Sequence, residues 1–238
     1  MIIHGTWQNE LPKIKDKSVD LIIIDPPYLT TSEAWDREEV VDKQLSTQLF
    51  RIAKDSCSLY VWCGIGEKSQ SLIRWFPIFG SDWHFKDLIT WKKQRGIGMR
   101  KGWMYTREEC MWFVKDNRSF IWNKEEQYLT GIPRKRDAHG MLNGQNGKPF
   151  KSQWKRISNV WDDFTEEGKD VLGFRGHFTP KPEKAIERII LSHTKIGDVV
   201  LDCFLGSGTT ARVCKKLERN CIRIEKELKY YEICKQYE

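Results

Sequence analysis

The sequence lacks any apolar run long enough to cross a membrane, and its mean hydropathy is −0.59. A membrane-spanning helix needs about 20 consecutive, mainly apolar residues. The first residues, MIIHGTWQNE, also lack the basic region and apolar stretch of a secretory signal. We therefore expect a cytoplasmic protein that does not associate with a membrane.

Cysteine is present, but it lacks the spacing of a metal site or a disulfide framework. The seven cysteines make an odd number, and no two of them form a Cys-x-x-Cys pair. Several lie in apolar surroundings, as in IAKDSCSLYVWC, where cysteine usually behaves as a small buried hydrophobic residue. We expect no metal site and interpret the cysteines as core residues: Cys57, Cys63, Cys110, Cys203, Cys214, Cys221 and Cys234.

Two common glycine-rich phosphate-binding patterns are absent as well. The sequence has no Gly-x-x-x-x-Gly-Lys-Ser/Thr motif, and its glycine turn, GSGTT, does not reach the third glycine of Gly-x-Gly-x-x-Gly. The turn follows an apolar run and an acid in VVLDCFLGSGTTARVC, an order typical of a nucleotide-binding strand-to-helix junction. Because the turn has no phosphate-binding lysine, we expect a nucleoside ligand; the alternative is an ordinary strand-to-helix turn.

Positive charge exceeds negative charge, since 40 Lys and Arg against 33 Asp and Glu give a net charge of +7. Basic residues gather in WKKQRGIGMRKGW and again in residues 134–156, with aromatic residues nearby. Basic side chains bind phosphates and aromatic rings stack on unpaired bases, so both stretches predict a nucleic-acid surface; the alternative is a solvated face. The candidates are Lys92, Lys93, Arg95, Arg100, Lys101, Arg134, Lys135, Arg136, Lys148, Lys151, Lys155 and Arg156.

Short apolar runs alternate with helix patterns along most of the chain. Runs such as 21–24, 59–63 and 199–203 indicate strands covered on both faces, and the alternation predicts a doubly wound α/β fold. Residues 117–175 break this rhythm with clustered loop signals, as in TGIPRKRDAHG. We predict a target-recognition insertion at 117–175 and a catalytic domain assembled from residues 1–116 and 176–238.

Two acids stand where predicted strands end. Asp25 follows the apolar run LIII and Asp202 follows VVL. Ligands of open α/β sheets bind beyond the carboxyl ends of the strands, where the strand order reverses. We therefore expect the loops after these two strands to border one crevice, with Glu225, at the end of RNCIRIE, placed to accept hydrogen bonds from ribose hydroxyls.

Together these motifs resemble the amino-methylating DNA methyltransferases, specifically the permuted β class, in which the catalytic motif precedes the cofactor motif. The resemblance rests on LIIIDPPY, then HFTPKPEKAIERII, then VLDCFLGSGTT and Glu225, in this order. It covers most of the chain except residues 117–175. It implies a Rossmann-like, seven-stranded sheet, mostly parallel with one antiparallel strand, and S-adenosylmethionine as the methyl donor.

The resemblance also implies roles for individual residues. Asp25 and the carbonyl of Pro26 would accept the two N–H groups of a base amine, Pro27 would keep the turn rigid, and Tyr28 would stack on the flipped-out base. Lys181 is among the residues implied to lie near the cofactor; the alternative is that it is a surface charge beside a helix. The implied cofactor-binding residues are Thr179, Lys181, Asp202, Phe204, Gly206, Ser207, Gly208, Thr209, Thr210 and Glu225.

The function so implied is site-specific methylation of adenine N6 in DNA, with a setting in restriction–modification and nucleoid association through DNA. Cytosine-N4 methylation of DNA and adenine methylation of RNA are alternatives, as is an inactive nucleic-acid-binding module. The predicted insertion is short for reading duplex DNA alone, so a homodimer or a partner subunit is a further hypothesis.

The sequence departs from the pattern of the family in three places. Thr6 and Trp7 stand where an acid often follows the early glycine, Cys203 replaces a usual proline, and Arg223 replaces a usual glycine. Cofactor affinity could therefore differ from that of the family. Residues 29–33 follow the catalytic motif, and we hypothesise that they form a mobile lip over the flipped base.

Overall fold

The computed structural model describes residues 2–97, 101–124, 156–164 and 180–235. Its strands form one sheet in the order β1-β8-β7-β2-β3-β5-β4-β6. Their bounds are β1 Ile2–His4, β2 Val19–Ile24, β3 Ala53–Cys63, β4 His84–Ile97, β5 Tyr105–Val114, β6 Val160–Trp161, β7 Val199–Asp202 and β8 Asn220–Glu225.

Strand β5 runs antiparallel to its neighbours β3 and β4, and every other neighbouring pair is parallel. The predicted fold class, a mostly parallel sheet with one antiparallel strand, is thereby confirmed, but the sheet has eight strands rather than seven. The additional strand is β6, whose two residues pair with Thr90 and Trp91 of β4. Residues 160–161 of the predicted insertion therefore belong to the sheet; a two-residue strand leaves no periodic pattern in a sequence.

The helices lie between the strands, as the alternating pattern predicted. Asp42 caps the second helix by accepting a hydrogen bond from the backbone N–H of Leu45 (2.8 Å), and Glu183 lies in the first turn of the fourth, where an acid favours the helix dipole. The helices are α1 Trp7–Glu10, α2 Lys43–Ile52, α3 Ser71–Gly80, α4 Glu183–His193, α5 Thr209–Lys216 and α6 Leu228–Lys235, with 3₁₀ turns at Leu11–Lys13 and Ala34–Asp36. Within the described ranges, no helix is long and apolar enough to span a membrane.

The sheet is covered on both faces, which explains the unbroken apolar run of β2. Ile22 and Ile24 pack in the cluster that includes Leu45 of α2, whereas Leu21 and Ile23 pack on the opposite face. Every residue of β2 is buried, as expected for a parallel strand between two helical layers. Six of the seven cysteines are buried in the core, and Cys221 is partly exposed.

The order of the strands reverses between β2 and β7. From β2 the chain continues to β3 on one side, whereas β7 continues to β8 on the other. Leu21 pairs with Val200 and Ile22 with Leu201, so the two strands are direct neighbours. The loops after β2 and β7 therefore diverge and leave a crevice at the carboxyl edge of the sheet.

Candidate active site

A cavity of about 380 Å³ occupies this crevice, within the usual size range for small-molecule sites. It is lined from both sides, by the loop after β2 and by the loop after β7. Gly208 is the N-cap residue of α5, between Ser207 and Thr209 of the cavity wall, and Thr179 lies outside the described residues. The predicted residues that line the cavity are Asp25, Pro26, Pro27, Tyr28, Lys181, Asp202, Phe204, Gly206, Ser207, Thr209, Thr210 and Glu225.

The carboxylate of Asp25 is held on both of its oxygens. Tyr28 Oη lies 2.8 Å from Oδ1, and Lys181 Nζ donates to Oδ2 at 2.5 Å. The side chain of Lys181 is only 7% exposed, so the alternative that it is a surface charge is wrong. Its ammonium group bonds to the carboxylate of the predicted catalytic motif, which places Lys181 with Asp25 and not only beside the predicted cofactor site.

Glu108 of β5 completes this cluster, and sequence reasoning missed it. Its Oε1 lies 2.8 Å from both Lys181 Nζ and Tyr28 Oη, and its Oε2 lies 2.6 Å from Lys93 Nζ. The available signal was the pair of acids in REECMWFV, because one acid of an adjacent pair in a covered strand must point to each face. Its neighbour, Glu109, points to the other face and accepts a hydrogen bond from Thr90.

Lys93 departs from the predicted nucleic-acid surface. Its side chain is 23% exposed, its ammonium bonds to Glu108, and it lines the cavity. An ammonium so engaged beside a buried carboxylate is a poor candidate for contact with the DNA backbone. We therefore reassign Lys93 from the predicted phosphate-binding surface to the crevice.

Burial and charge set the protonation of this cluster. Burial alone would raise the pKa of Glu108, but Lys181 and Lys93 outweigh it and lower that pKa to about 2. Burial raises the pKa of the Asp25 carboxyl, with Lys181 opposing the rise and Glu108 adding to it. Burial also raises the pKa of Tyr28, which keeps its hydroxyl protonated. Tyr28 has one proton between two carboxyl groups, so it can donate to only one of them at a time.

The segment after Tyr28 is held in place by hydrogen bonds. The buried carboxylate of Asp36 accepts hydrogen bonds from the backbone N–H groups of Leu29, Thr30 and Thr31, at 2.8, 2.8 and 2.6 Å. Leu29 has a φ of 61°, a conformation that these bonds help to fix. Three hydrogen bonds to one buried acid count against the hypothesis that residues 29–33 are mobile.

On the other side of the cavity, the glycine turn has backbone angles that favour glycine and leaves no room for a side chain at Gly208. Gly206 and Gly208 have φ values of 50° and 76°, in the region that favours glycine. A Cβ atom on Gly208 would lie 2.6 Å from Sγ of Cys234. Glu225 holds the turn, because its carboxylate accepts from the backbone N–H of Gly206 at 2.7 Å and from that of Glu227 at 2.8 Å.

Asp202 ends β7 with a carboxylate that is buried against the cavity. It accepts a hydrogen bond from the backbone N–H of Phe204 at 3.1 Å. Burial raises its pKa to about 7, against hydrogen bonds from Thr210 and Phe204 that lower it. Asp202, Glu225 and Glu227 therefore give this half of the cavity an acidic wall, on which Asp202 is only partly ionised at neutral pH and Glu227 lies 3.9 Å from the ammonium of Lys226. The glycine turn offers no lysine.

The three departures from the pattern of the family lie around this half of the cavity. Thr6, Trp7 and Cys203 line it, and Trp7 and Cys203 are buried. Arg223 is a buried residue of β8, where it pairs with Asp202 in the strand register.

The sequence model of the N6/N4 methyltransferase family, described as DNA methylase, matches residues 19–236. The chain belongs to this family. Its members are S-adenosylmethionine-dependent DNA amino-methyltransferases.

Known relatives match this methylase over most of its length. Type II methyltransferase M1.MboII of Moraxella bovis is 32% identical over 240 residues, which is 92% of this chain and 89% of that protein. DNA adenine methyltransferase YhdJ of Escherichia coli strain K12 is 29% identical, over 96% of this chain and 79% of that protein.

Solved structures of other DNA methyltransferases share the fold of this methylase. The complex of M1.HpyAVI with S-adenosylmethionine has a TM-score of 0.65 at 22% identity, covering 99% of this chain and 98% of that one. The cytosine-N4-specific PvuII DNA methyltransferase has a TM-score of 0.69 at 17% identity, covering 99% and 85%.

The remaining predicted basic residues of the methylase are described only in part. Lys92, Lys101 and Arg156 are exposed. The side chain of Arg95 and the whole of Arg100, Arg134, Lys135, Arg136, Lys148, Lys151 and Lys155 lie outside the described residues. The predicted DNA surface therefore stays a prediction for most of its members.

Proposed function

We propose that the protein is a site-specific DNA methyltransferase that transfers a methyl group from S-adenosylmethionine to N6 of a flipped-out adenine. The observation that carries the proposal is the Asp25 carboxylate, fixed by Tyr28 and Lys181 in a cavity whose other wall is the glycine turn. Asp rather than Ser before Pro-Pro-Tyr favours adenine, as does the adenine activity that the name of the relative YhdJ states.

The donor half of the cavity fits S-adenosylmethionine by its chemistry. An acidic wall that includes Asp202 and Glu225 suits a cationic sulfonium and ribose hydroxyls, and it disfavours a phosphate. Both oxygens of Glu225 already accept one backbone hydrogen bond, and each has a second lone pair for a ribose hydroxyl. The bound cofactor supplies an electrophilic methyl group on sulfur.

Asp25 activates the acceptor amine. The N6 lone pair of adenine is delocalised into the ring, so the amine is a weak nucleophile until its N–H groups are bonded to well-placed acceptors. Each oxygen of Asp25 retains a lone pair beside its bond to Tyr28 or Lys181, and the carbonyl of Pro26 offers a second acceptor. These acceptors stabilise the positive charge that grows on nitrogen during transfer. Asp25 then takes the proton that the methylated amine releases.

Glu108 acts as a positioning residue in this proposal. It holds the ammonium of Lys181 and faces the hydroxyl of Tyr28, so it fixes the two groups that orient Asp25. Its negative charge also offsets the pull of Lys181 on the electrons of Asp25, which keeps the carboxylate a strong acceptor. The ring of Tyr28 remains partly exposed and is our candidate for stacking on the flipped base.

The experiment is transfer of a labelled methyl group from S-adenosylmethionine to duplex DNA, single-stranded DNA and RNA, followed by digestion to nucleosides. We expect N6-methyladenine from DNA. Asp25→Asn keeps the shape but loses the charge, and it should lower kcat by about 10² to 10³ while cofactor affinity stays the same. Label in cytosine or only in RNA would favour the alternatives, and wild-type activity in Asp25→Asn would overturn the assigned role.

The setting of the activity follows from the same proposal. The names of the type II relatives favour restriction–modification, and a DNA substrate would place the protein at the nucleoid in the cytoplasm. Assembly as a homodimer or with a partner subunit stays a prediction.

A further inference from the structure

A hairpin projects from the sheet at the edge where the crevice opens. The last residue pair between β3 and β5 is Cys63 with Glu109, but the pairing of β4 with β5 continues to Ile97 and Tyr105. Four residues of β5 therefore extend about 13 Å beyond the last β3–β5 pair. Because β4 runs parallel to β2 and β3, the tip of the hairpin lies at the same carboxyl edge as Asp25.

The tip presents large apolar side chains to solvent. Trp103 is 94% exposed, Met104 is 60% exposed and Tyr105 is 38% exposed. Tryptophan is usually mostly buried, since its ring carries a large hydrophobic gain. No folding requirement accounts for a ring at this exposure, which points to a role in binding a partner.

The basic side chains near these rings indicate a nucleic acid as the partner. Lys92 and Lys101 are exposed on the same hairpin. Arg107 is not counted with them, because its guanidinium lies 3.1 Å from the buried carboxylate of Glu109. Exposed rings among basic side chains fit a chain of bases joined by phosphates. Trp103 is five positions before Glu108 in the chain, so the Cα atoms of these two residues lie at most about 17 Å apart, a distance that one DNA duplex can bridge.

We propose that Trp103, supported by Met104, stacks on the bases next to the target adenine when that adenine leaves the helix. This inference rests on the proposed function, because it assumes a duplex DNA substrate. Extruding a base leaves its neighbours without a stacking partner, and the energetic cost is smaller when the base is already mispaired. An indole ring at the gap replaces the lost stacking, and the basic side chains hold the flanking phosphates.

The test compares Trp103→Ala, Trp103→Phe and Ile196→Ala on a duplex that the wild-type protein methylates. Ile196 is 69% exposed and lies before β7, at the opposite edge of the sheet, so it controls for loss of an exposed apolar side chain. We expect Trp103→Ala to lower kcat/KM about tenfold on the paired duplex, with unchanged affinity for S-adenosylmethionine. Trp103→Phe should restore most of the activity, and Ile196→Ala should match the wild type.

A second substrate separates stacking from a general binding role. When the target adenine is in a mismatch, its extrusion costs less free energy. Trp103→Ala should therefore recover most of its activity on this substrate. Wild-type activity of Trp103→Ala on the paired duplex, or an equal loss on both substrates, would overturn the inference alone. Failure of the wild-type protein to label any DNA would instead overturn the proposed function and this inference together.

Discussion

Glu108→Gln removes one negative charge from the buried cluster while keeping the size of the side chain. A glutamine can accept a hydrogen bond from only one of the two lysines, and its amide N–H groups then face the other. The pKa of Glu108 is about 2 in the folded chain against 4.5 ordinarily. Since one pKa unit corresponds to about 1.4 kcal/mol, this difference gives about 3 kcal/mol of stability at neutral pH. Removing one partner from a buried ion pair typically costs a similar ~3 kcal/mol or more.

The stability lost in Glu108→Gln depends on pH, and the direction of that dependence follows from the lowered pKa of Glu108. A carboxyl whose pKa is lowered by folding stabilises the protein above its ordinary pKa, and the contribution disappears as the pH falls towards the folded value. Urea unfolding should therefore show Glu108→Gln to be about 3 kcal/mol less stable at pH 7, with the difference shrinking below pH 4.5. The control Glu187→Gln breaks a surface pair with Lys216 and should cost under about 1 kcal/mol.

Catalysis gives a readout that a purely structural role would not change. Because Glu108 contributes to the raised pKa of Asp25, its loss should lower that pKa. We expect the acidic limb of the kcat profile to move to lower pH in Glu108→Gln, together with a lower kcat at neutral pH. A stability difference below 1 kcal/mol at pH 7, or one that does not change with pH, would refute the assigned ion-pair cluster.

Two further predictions concern the walls of the cavity. Because burial raises the pKa of Asp202 to about 7, its charge appears only as the pH passes 7, so affinity for S-adenosylmethionine measured by calorimetry should rise about tenfold from pH 6 to 8. The rise should be absent in Asp202→Asn, and in the wild type it should be smaller for S-adenosylhomocysteine, which lacks the sulfonium charge. The same dependence of affinity on pH in all three measurements would show that Asp202 is not the titrating group. Asp36→Ala leaves three backbone N–H groups without their acceptor, so hydrogen exchange at residues 29–31 should accelerate at least tenfold, and unchanged protection would show that other contacts hold this segment.

The parts of the fold that the sequence predicted are those with local patterns. LIII before Asp25 and VVL before Asp202 mark buried strands, and two such strands at a reversal of strand order place their following loops together. The glycine turn was predictable because its pattern is also local: a tight turn requires residues that tolerate positive φ.

The cluster around Asp25 shows why the rest could not be predicted. Lys181 bonds to Asp25 across 156 positions of the chain, and Glu108 bonds to Tyr28 across 80, separations that no spacing rule records. Lys93 reads as a member of a basic surface stretch until the strand that carries it is placed beside Glu108. The direction of each side chain along β4 thus decides that Lys93 lines the crevice and that Lys92 faces solvent. Two adjacent lysines in a sequence do not show which of them points to which side.

The methylated base in DNA exposed to the protein and S-adenosylmethionine can be identified directly. Sequencing the modified positions reports the base, its context and the strand together. We predict N6-methyladenine at one defined sequence, with the signal lost in Asp25→Asn although the variant still binds the cofactor. Methylation of cytosine N4 would contradict the assigned base, and no methylation of DNA under any condition would contradict the proposal that the protein methylates DNA.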